Sequence, residues 1–285
     1  MTGTEAKGRG AVGILSVVIF AAAFVVLYFD AIRGMVLDWY HDENYSHGFL
    51  VPFISGYFLW LRKDDLRSLK PAPANWGVVV LLAGLCLDLF GMVAGEAFTM
   101  RISMLVVLAG VIIFSTGFAV FKKVAFPFGY LIFMIPLPYI LYDAVAFPLK
   151  LLVSRYSVAF LKLIGIPVYR EGNVINLVST TLEVADACSG IRSIVSLLAL
   201  ATALAWFSHH GLLKRWVLIL LALPIAVFAN AIRVIGTGVL ASRYGSRAAE
   251  GFFHEFAGLV IFGVAMALLL LSSVVLGKIG RQRHE

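Results

Sequence analysis

The run WGVVVLLAGLCLDLFGMVAG, Trp76 to Gly95, holds one charge in twenty residues. As a helix it would be about 30 Å long at 1.5 Å per residue, which matches the hydrocarbon thickness of a bilayer. A soluble domain would have to bury such a rod on every side, whereas lipid covers it directly. Comparable runs lie near 11–29, 47–61, 102–121, 124–142, 189–208, 215–238 and 255–277, with 47–61 the shortest. The expected fold is therefore an all-α polytopic membrane protein with about eight transmembrane helices. Composition agrees, since 61% of the residues are hydrophobic and only 14% are charged.

The net charge of +7 forms no basic stripe of the kind a nucleic-acid surface needs, so no nucleic-acid partner is expected. The cations follow topology instead. Lys7 and Arg9 precede the first run, Arg62, Lys63, Arg67 and Lys70 follow the second, and Lys122 and Lys123 follow the fourth. Lys214 and Arg215 open the seventh, and Lys278, Arg281 and Arg283 follow the eighth. Eight spans put all of these on one side, which the positive-inside rule makes the cytoplasm, with both termini there and the chain in the cytoplasmic (inner) membrane. The start imitates a signal peptide through its basic residues and Ala21-Ala22-Ala23, but the apolar run continues to Phe29, so an uncleaved helix is expected. Cys86 sits within an apolar run and reads as packing, and no structural disulfide with Cys188 is expected. His209 and His210 fit no zinc pattern, and no metal or cofactor is expected.

The whole chain, 1–285, reads as one integral membrane domain with its polar segments at the edges. Residues 143–165 set Lys150, Arg155 and Lys162 among apolar residues, which suits an amphipathic helix lying in the interface plane. The texture changes over 166–187. There VYREGNVINLV and TTLEV are rich in β-branched residues, with turn chemistry at Glu171-Gly172-Asn173 and Ser179-Thr180, and predict a small external β-hairpin or two.

That segment leads into EVADACSGIRS, Glu183 to Ser193, where Cys188 opens the sixth run from the external side. Arg233 lies about 27 Å along the seventh run from its basic start, and His254 opens the eighth from outside. Three helices thus bring a thiol, a guanidinium and an imidazole to one height. The chemistry suits nucleophilic catalysis, because a helix N-terminus favours a thiolate and a nearby imidazole can take the thiol proton. Arg233, or backbone N–H groups near Ser189 and Gly190, would stabilise an oxyanion. The plain alternative for each residue alone is structural: a packing cysteine, an interfacial histidine, a snorkelling arginine. Glu183, Asp186, Asn230 and Glu255 are candidates for orienting His254 or Arg233, and His47 shares the external side, where a role in starting a helix is the alternative.

The strings C-S-G-I-R-S (188–193), N-A-I-R (230–233) and H-E-F-A-G (254–258) resemble the Cys, Asn-x-x-Arg and His motifs of the exosortase and archaeosortase family. YSHGFLVPFIS, Tyr45 to Ser55, resembles its amino-terminal signature. The resemblance implies a membrane transpeptidase or protease acting on membrane proteins that end in a tripartite tail: a Pro-Glu-Pro type motif, a spanning helix and a basic cluster. It implies Cys188 as nucleophile, His254 as general base and acid, and Arg233 as transition-state stabiliser or substrate clamp; on the mechanism these motifs suggest, Arg170, Arg192 or Arg233 would pair with the acid of the sorting motif. It also links such systems to exopolysaccharide production. Two other classes stay open at this point: a transporter or noncatalytic component of polysaccharide export, for which Arg233 and the intramembrane Asp88 would be pathway charges, and a membrane scaffold.

Overall fold

The computed structural model describes residues 3–178, 180–183, 191–208, 211–245 and 252–279; the side chains of 3–14, 183, 191–193 and 252–257 are outside that description. Two compact units divide the chain, Met1–Pro136 and Leu137–Glu285.

In the first unit, α1 (Gly3–Leu27) and α2 (Phe29–His41) meet at the buried Tyr28, and the segments Leu15–Leu27 and Phe29–His41 are bent by 66°. Helices α5 (Trp76–Ala94) and α6 (Ala97–Thr116) form the tightest pair, and the sequence dictates how. Gly77, Gly84 and Gly91 recur every seven residues, so they form one stripe. A Cβ at Gly77 would fall 2.2 Å from the Phe114 backbone nitrogen, and one at Gly84 2.8 Å from that of Val107. Backbones this close are how membrane helices gain packing energy when lipid offers no hydrophobic drive. Glu96 caps α6 by accepting from the backbone N–H groups of Phe98 (3.1 Å) and Thr99 (2.6 Å).

Gly117 ends α6 with φ +88, and a Cβ there would sit 2.0 Å from the Ala72 carbonyl oxygen. This position requires glycine both for its dihedral and for its space. The break leaves α7 (Phe118–Tyr130) only 13 residues, followed by a 3-10 turn over Leu131–Met134. Pro127 inside α7 has no N–H for the carbonyl of residue 123, and Arg62 donates to that Lys123 oxygen at 3.0 Å instead. Two short helices precede α5: α3 (Leu50–Leu61) and α4 (Lys63–Ser68).

The second unit contains α8 (Tyr139–Leu163), a three-stranded antiparallel sheet in the order β1 (Val168–Glu171), β2 (Val174–Leu177), β3 (Thr181–Glu183), then α9 (Ile191–Phe207), α10 (Leu212–Tyr244) and α11 (Phe252–Lys278). Glu171 pairs with Val174 around a two-residue turn whose Gly172 has φ +61, the chemistry expected of a tight hairpin. Alanine-rich faces of α9 and α10 join Leu197, Leu218 and Leu269 in one core, and a second core joins Val153, Leu161, Val168, Ile175 and Val234 beneath the sheet. Early α8 shares the first core with early α10, late α8 shares the second with late α10, and Leu161 touches Gly238. The two helices therefore run parallel.

Among the described residues, five helices are long and apolar enough to cross a membrane: α5, α6, α8, α10 and α11 over Gly258–Lys278; the bent α1–α2 pair would make six. A multi-pass membrane protein with a small sheet stands, but the count of eight does not emerge. The run at 47–61 forms a 12-residue helix, about 18 Å. The run at 124–142 is cut by the tightened turn and by Pro136 and Pro138 before α8 begins. For 143–165 the structure offers a second placement besides the interface plane, since 143–163 belong to the 25-residue α8 alongside α10.

Candidate active site

The site is built at one end of the second unit. At the other end, Lys214 near the start of α10 donates to the Leu276 carbonyl at 2.8 Å and Arg215 to that of Ser208 at 3.1 Å, placing cations on the C-terminal carbonyls of α11 and α9. Helices α9 and α11 both pack on α10 and run against it. Their N-termini therefore lie at the far end, beside the upper part of α10 and the sheet. Each N-terminus carries roughly half a positive charge.

Arg233 adds a full one. It lies about 31 Å along α10, and Ile191 starts α9 about 24 Å above its own end. The guanidinium reaches α11: a Cβ built on Gly258 would lie 3.3 Å from Nη2, 3.4 Å from Cζ and 3.6 Å from Nη1 of Arg233. Position 254 is one helical turn beyond Gly258 on the same stripe, about 6 Å along the axis. The Arg233 guanidinium therefore meets α11 about one turn from position 254. Asn230, one turn before Arg233, is buried with 4% exposure, and its amide nitrogen has no hydrogen-bond partner among the described residues.

The other expected site residues fall as follows. Cys188, Ser189, Gly190 and Asp186 lie outside the described residues. Glu183 ends β3 opposite Val174, Arg192 is in the first turn of α9, and His254 and Glu255 are in the first turn of α11; the side chains of these four are outside the description. Arg170 is exposed on β1 and donates to the Gly172 carbonyl at 2.8 Å.

His47 belongs to the first unit, in a 3-10 turn over Ser46–Phe49 that leads into α3. Its Nε2–H donates to the Phe133 carbonyl at 3.1 Å. Burial pushes its pKa below the ordinary histidine value, against the Phe133 and Asn44 carbonyls that favour the cation. The rest of the YSHGFLVPFIS string is also engaged. A Cβ on Gly48 would enter the Trp39 ring, Trp39 Nε1 donates to the Met134 carbonyl at 2.8 Å, and Ser55 donates to the Pro127 carbonyl at 2.7 Å. The string holds the kinked end of α7 in place.

Asp88 has a local partner. Ser103 Oγ lies 3.1 Å from its carboxylate and 3.2 Å from the Tyr28 hydroxyl, and all three residues are buried in the first unit. Arg101 pairs with Asp38 at 2.7 Å in the same unit. Among the described residues, no group of three or more metal-ligating side chains is present.

Helices whose exposed faces are apolar, with two helix N-termini and the half-buried Arg233 at one end of the second unit and a small sheet beside them, define a polytopic membrane protein with a positively charged candidate site. The chain belongs to the transmembrane exosortase family, which matches residues 39–271. That range holds every expected site residue from His47 to Glu255, and the match bears out the family resemblance. No curated protein and no solved structure matches.

Proposed function

We propose that this exosortase-family protein is a cysteine transpeptidase or protease that cleaves a carboxy-terminal sorting tail at the outer face of the cytoplasmic membrane. The observation that carries the reading is the Arg233 guanidinium resting on Gly258, one turn from position 254, at the end where α9 begins. Sequence places Cys188 three residues before Ile191, so covalent reach keeps its Cα within about 11 Å of that helix start.

The reaction follows from these groups. His254 takes the Cys188 proton, and the thiolate attacks the scissile carbonyl carbon, forming a C–S bond while the oxygen gathers negative charge. Arg233 and the α9 N-terminus stabilise that charge. The C–N bond then breaks, His254 gives its proton to the leaving amine, and a thioester remains. An amine or water attacks the thioester, His254 accepts its proton, and the thiolate departs. A guanidinium is a planar, forked donor, which suits a directed electrostatic role for Arg233. The sheet over 168–183 is suited to holding an extended peptide by edge pairing. Glu183, Arg192, Asn230 and Glu255 surround the same end as supporting groups, with Ser189 and Gly190 supplying backbone donors.

Transport as the alternative needs a pathway charge, and Asp88 is the residue that would supply it. The Ser103 hydroxyl 3.1 Å from its carboxylate supports a packing role for Asp88. The test is coexpression with a membrane protein ending in a Pro-Glu-Pro motif, an apolar helix and a basic cluster. Wild type should release the tail, and Cys188→Ala, present at equal level in membranes, should leave it intact. Processing by Cys188→Ala would refute the nucleophile assignment.

A further inference from the structure

The structure assigns Gly258 as a positioning residue: its lack of a side chain is what lets the Arg233 guanidinium lie against α11 beside the turn that carries His254. This rests on the reading of Arg233 as part of the reaction site.

Three observations carry it. The guanidinium atoms Nη2, Cζ and Nη1 would stand 3.3, 3.4 and 3.6 Å from a Cβ on Gly258, so a flat face and not a single atom occupies the space. Among the described residues, Gly263 on the same helix and Gly236 on α10 would meet nothing within 4 Å, whereas Gly238 on α10 meets Leu161, so close approach is confined to particular glycines of these helices. Asn230 is buried one turn before Arg233, which leaves the arginine little freedom to retreat along α10.

The contact has a mechanical consequence. A methyl group at 258 requires the guanidinium to give by a few tenths of an ångström, and a branched side chain requires it to leave. Because side chains of helical residues lean towards the N-terminus, the displaced group would move relative to position 254, on which its catalytic alignment depends. Misplacement by about 1 Å can cost on the order of a hundredfold in rate. Gly258→Ala should therefore lower turnover several-fold and Gly258→Val by about a hundredfold, with KM for the tail-bearing substrate changed less than kcat.

Two measurements decide the matter together. The first is a thermal-unfolding cycle in detergent on wild type, Gly258→Val, Arg233→Ala and the double variant. Gly258→Val should lower the midpoint in the wild-type background and not in the Arg233→Ala background, where the valine fills released space. The second is turnover of the coexpressed tail-bearing protein by Gly258→Ala and Gly258→Val, with Gly263→Val as the control that should match wild type. Additive thermal effects would overturn the contact, and unchanged turnover in Gly258→Val would overturn the positioning role. If wild type releases no tail, the functional reading fails, while the thermal cycle still decides whether Gly258 seats Arg233.

Discussion

His47 illustrates how one residue's surroundings fix a measurable property. Burial disfavours its charged form, so the folded chain binds that proton less readily than the unfolded chain does. The sign follows from linkage: the contribution to stability is present above the unfolded pKa near 6.5 and is lost as pH falls below it. The thermal midpoint in detergent should therefore drop more between pH 7.5 and 5.5 for wild type than for His47→Gln, and equal drops would contradict the assignment. At this scale the sequence was informative about residue identity and blind to neighbours. The helix-start alternative for Ser46-His47-Gly48 describes what His47 does locally, because the turn it opens is short-range chemistry. Its carbonyl partner is 86 residues away, as is typical of contacts that no window of sequence reveals. Gly258 was likewise quoted within a motif, yet nothing in H-E-F-A-G says that an arginine from another helix rests on its glycine.

Among elements, α8 carries the most consequence. It is 25 residues, about 37 Å, and it parallels α10 from the first core to the second. If α8 crosses the membrane, its two ends lie on opposite sides; if it lies in the interface plane, they share one. Single cysteines at Leu137 and Glu171, in a background of Cys86→Ser and Cys188→Ala, separate the two cases. Crossing predicts that an impermeant maleimide labels position 171 in intact cells and position 137 only after permeabilisation, whereas labelling of both in intact cells would contradict it. Hydropathy placed the apolar runs well, as α5, α10 and α11 show, but it could not see breaks set by tertiary contact. Gly117 stops α6 because the Ala72 carbonyl occupies the space of a side chain, and the apolar residues after it simply continue in another direction. Strand texture was legible in VYREGNVINLV, and the third strand at Thr181–Glu183 followed from the β-branched residues of TTLEV. The seven-residue recurrence of Gly77, Gly84 and Gly91 was available in the sequence and would have identified the α5–α6 pairing.

For the molecule as a whole, membership of the exosortase family and a membrane-spanning architecture follow from the match over 39–271 and from the apolar helices. The proposed activity adds a narrower statement, that Cys188 is an externally accessible thiol activated by His254. Its reactivity should show both properties at once. The direct measurement is the alkylation rate of Cys188 by a membrane-impermeant thiol reagent in intact spheroplasts carrying Cys86→Ser, followed against pH with His254 and with His254→Ala. Labelling is expected from the outer face, with an apparent thiol pKa below the ordinary value near 8.5 and a rate at neutral pH about tenfold lower in His254→Ala. Labelling that requires permeabilisation, or a rate profile indifferent to His254, would contradict it.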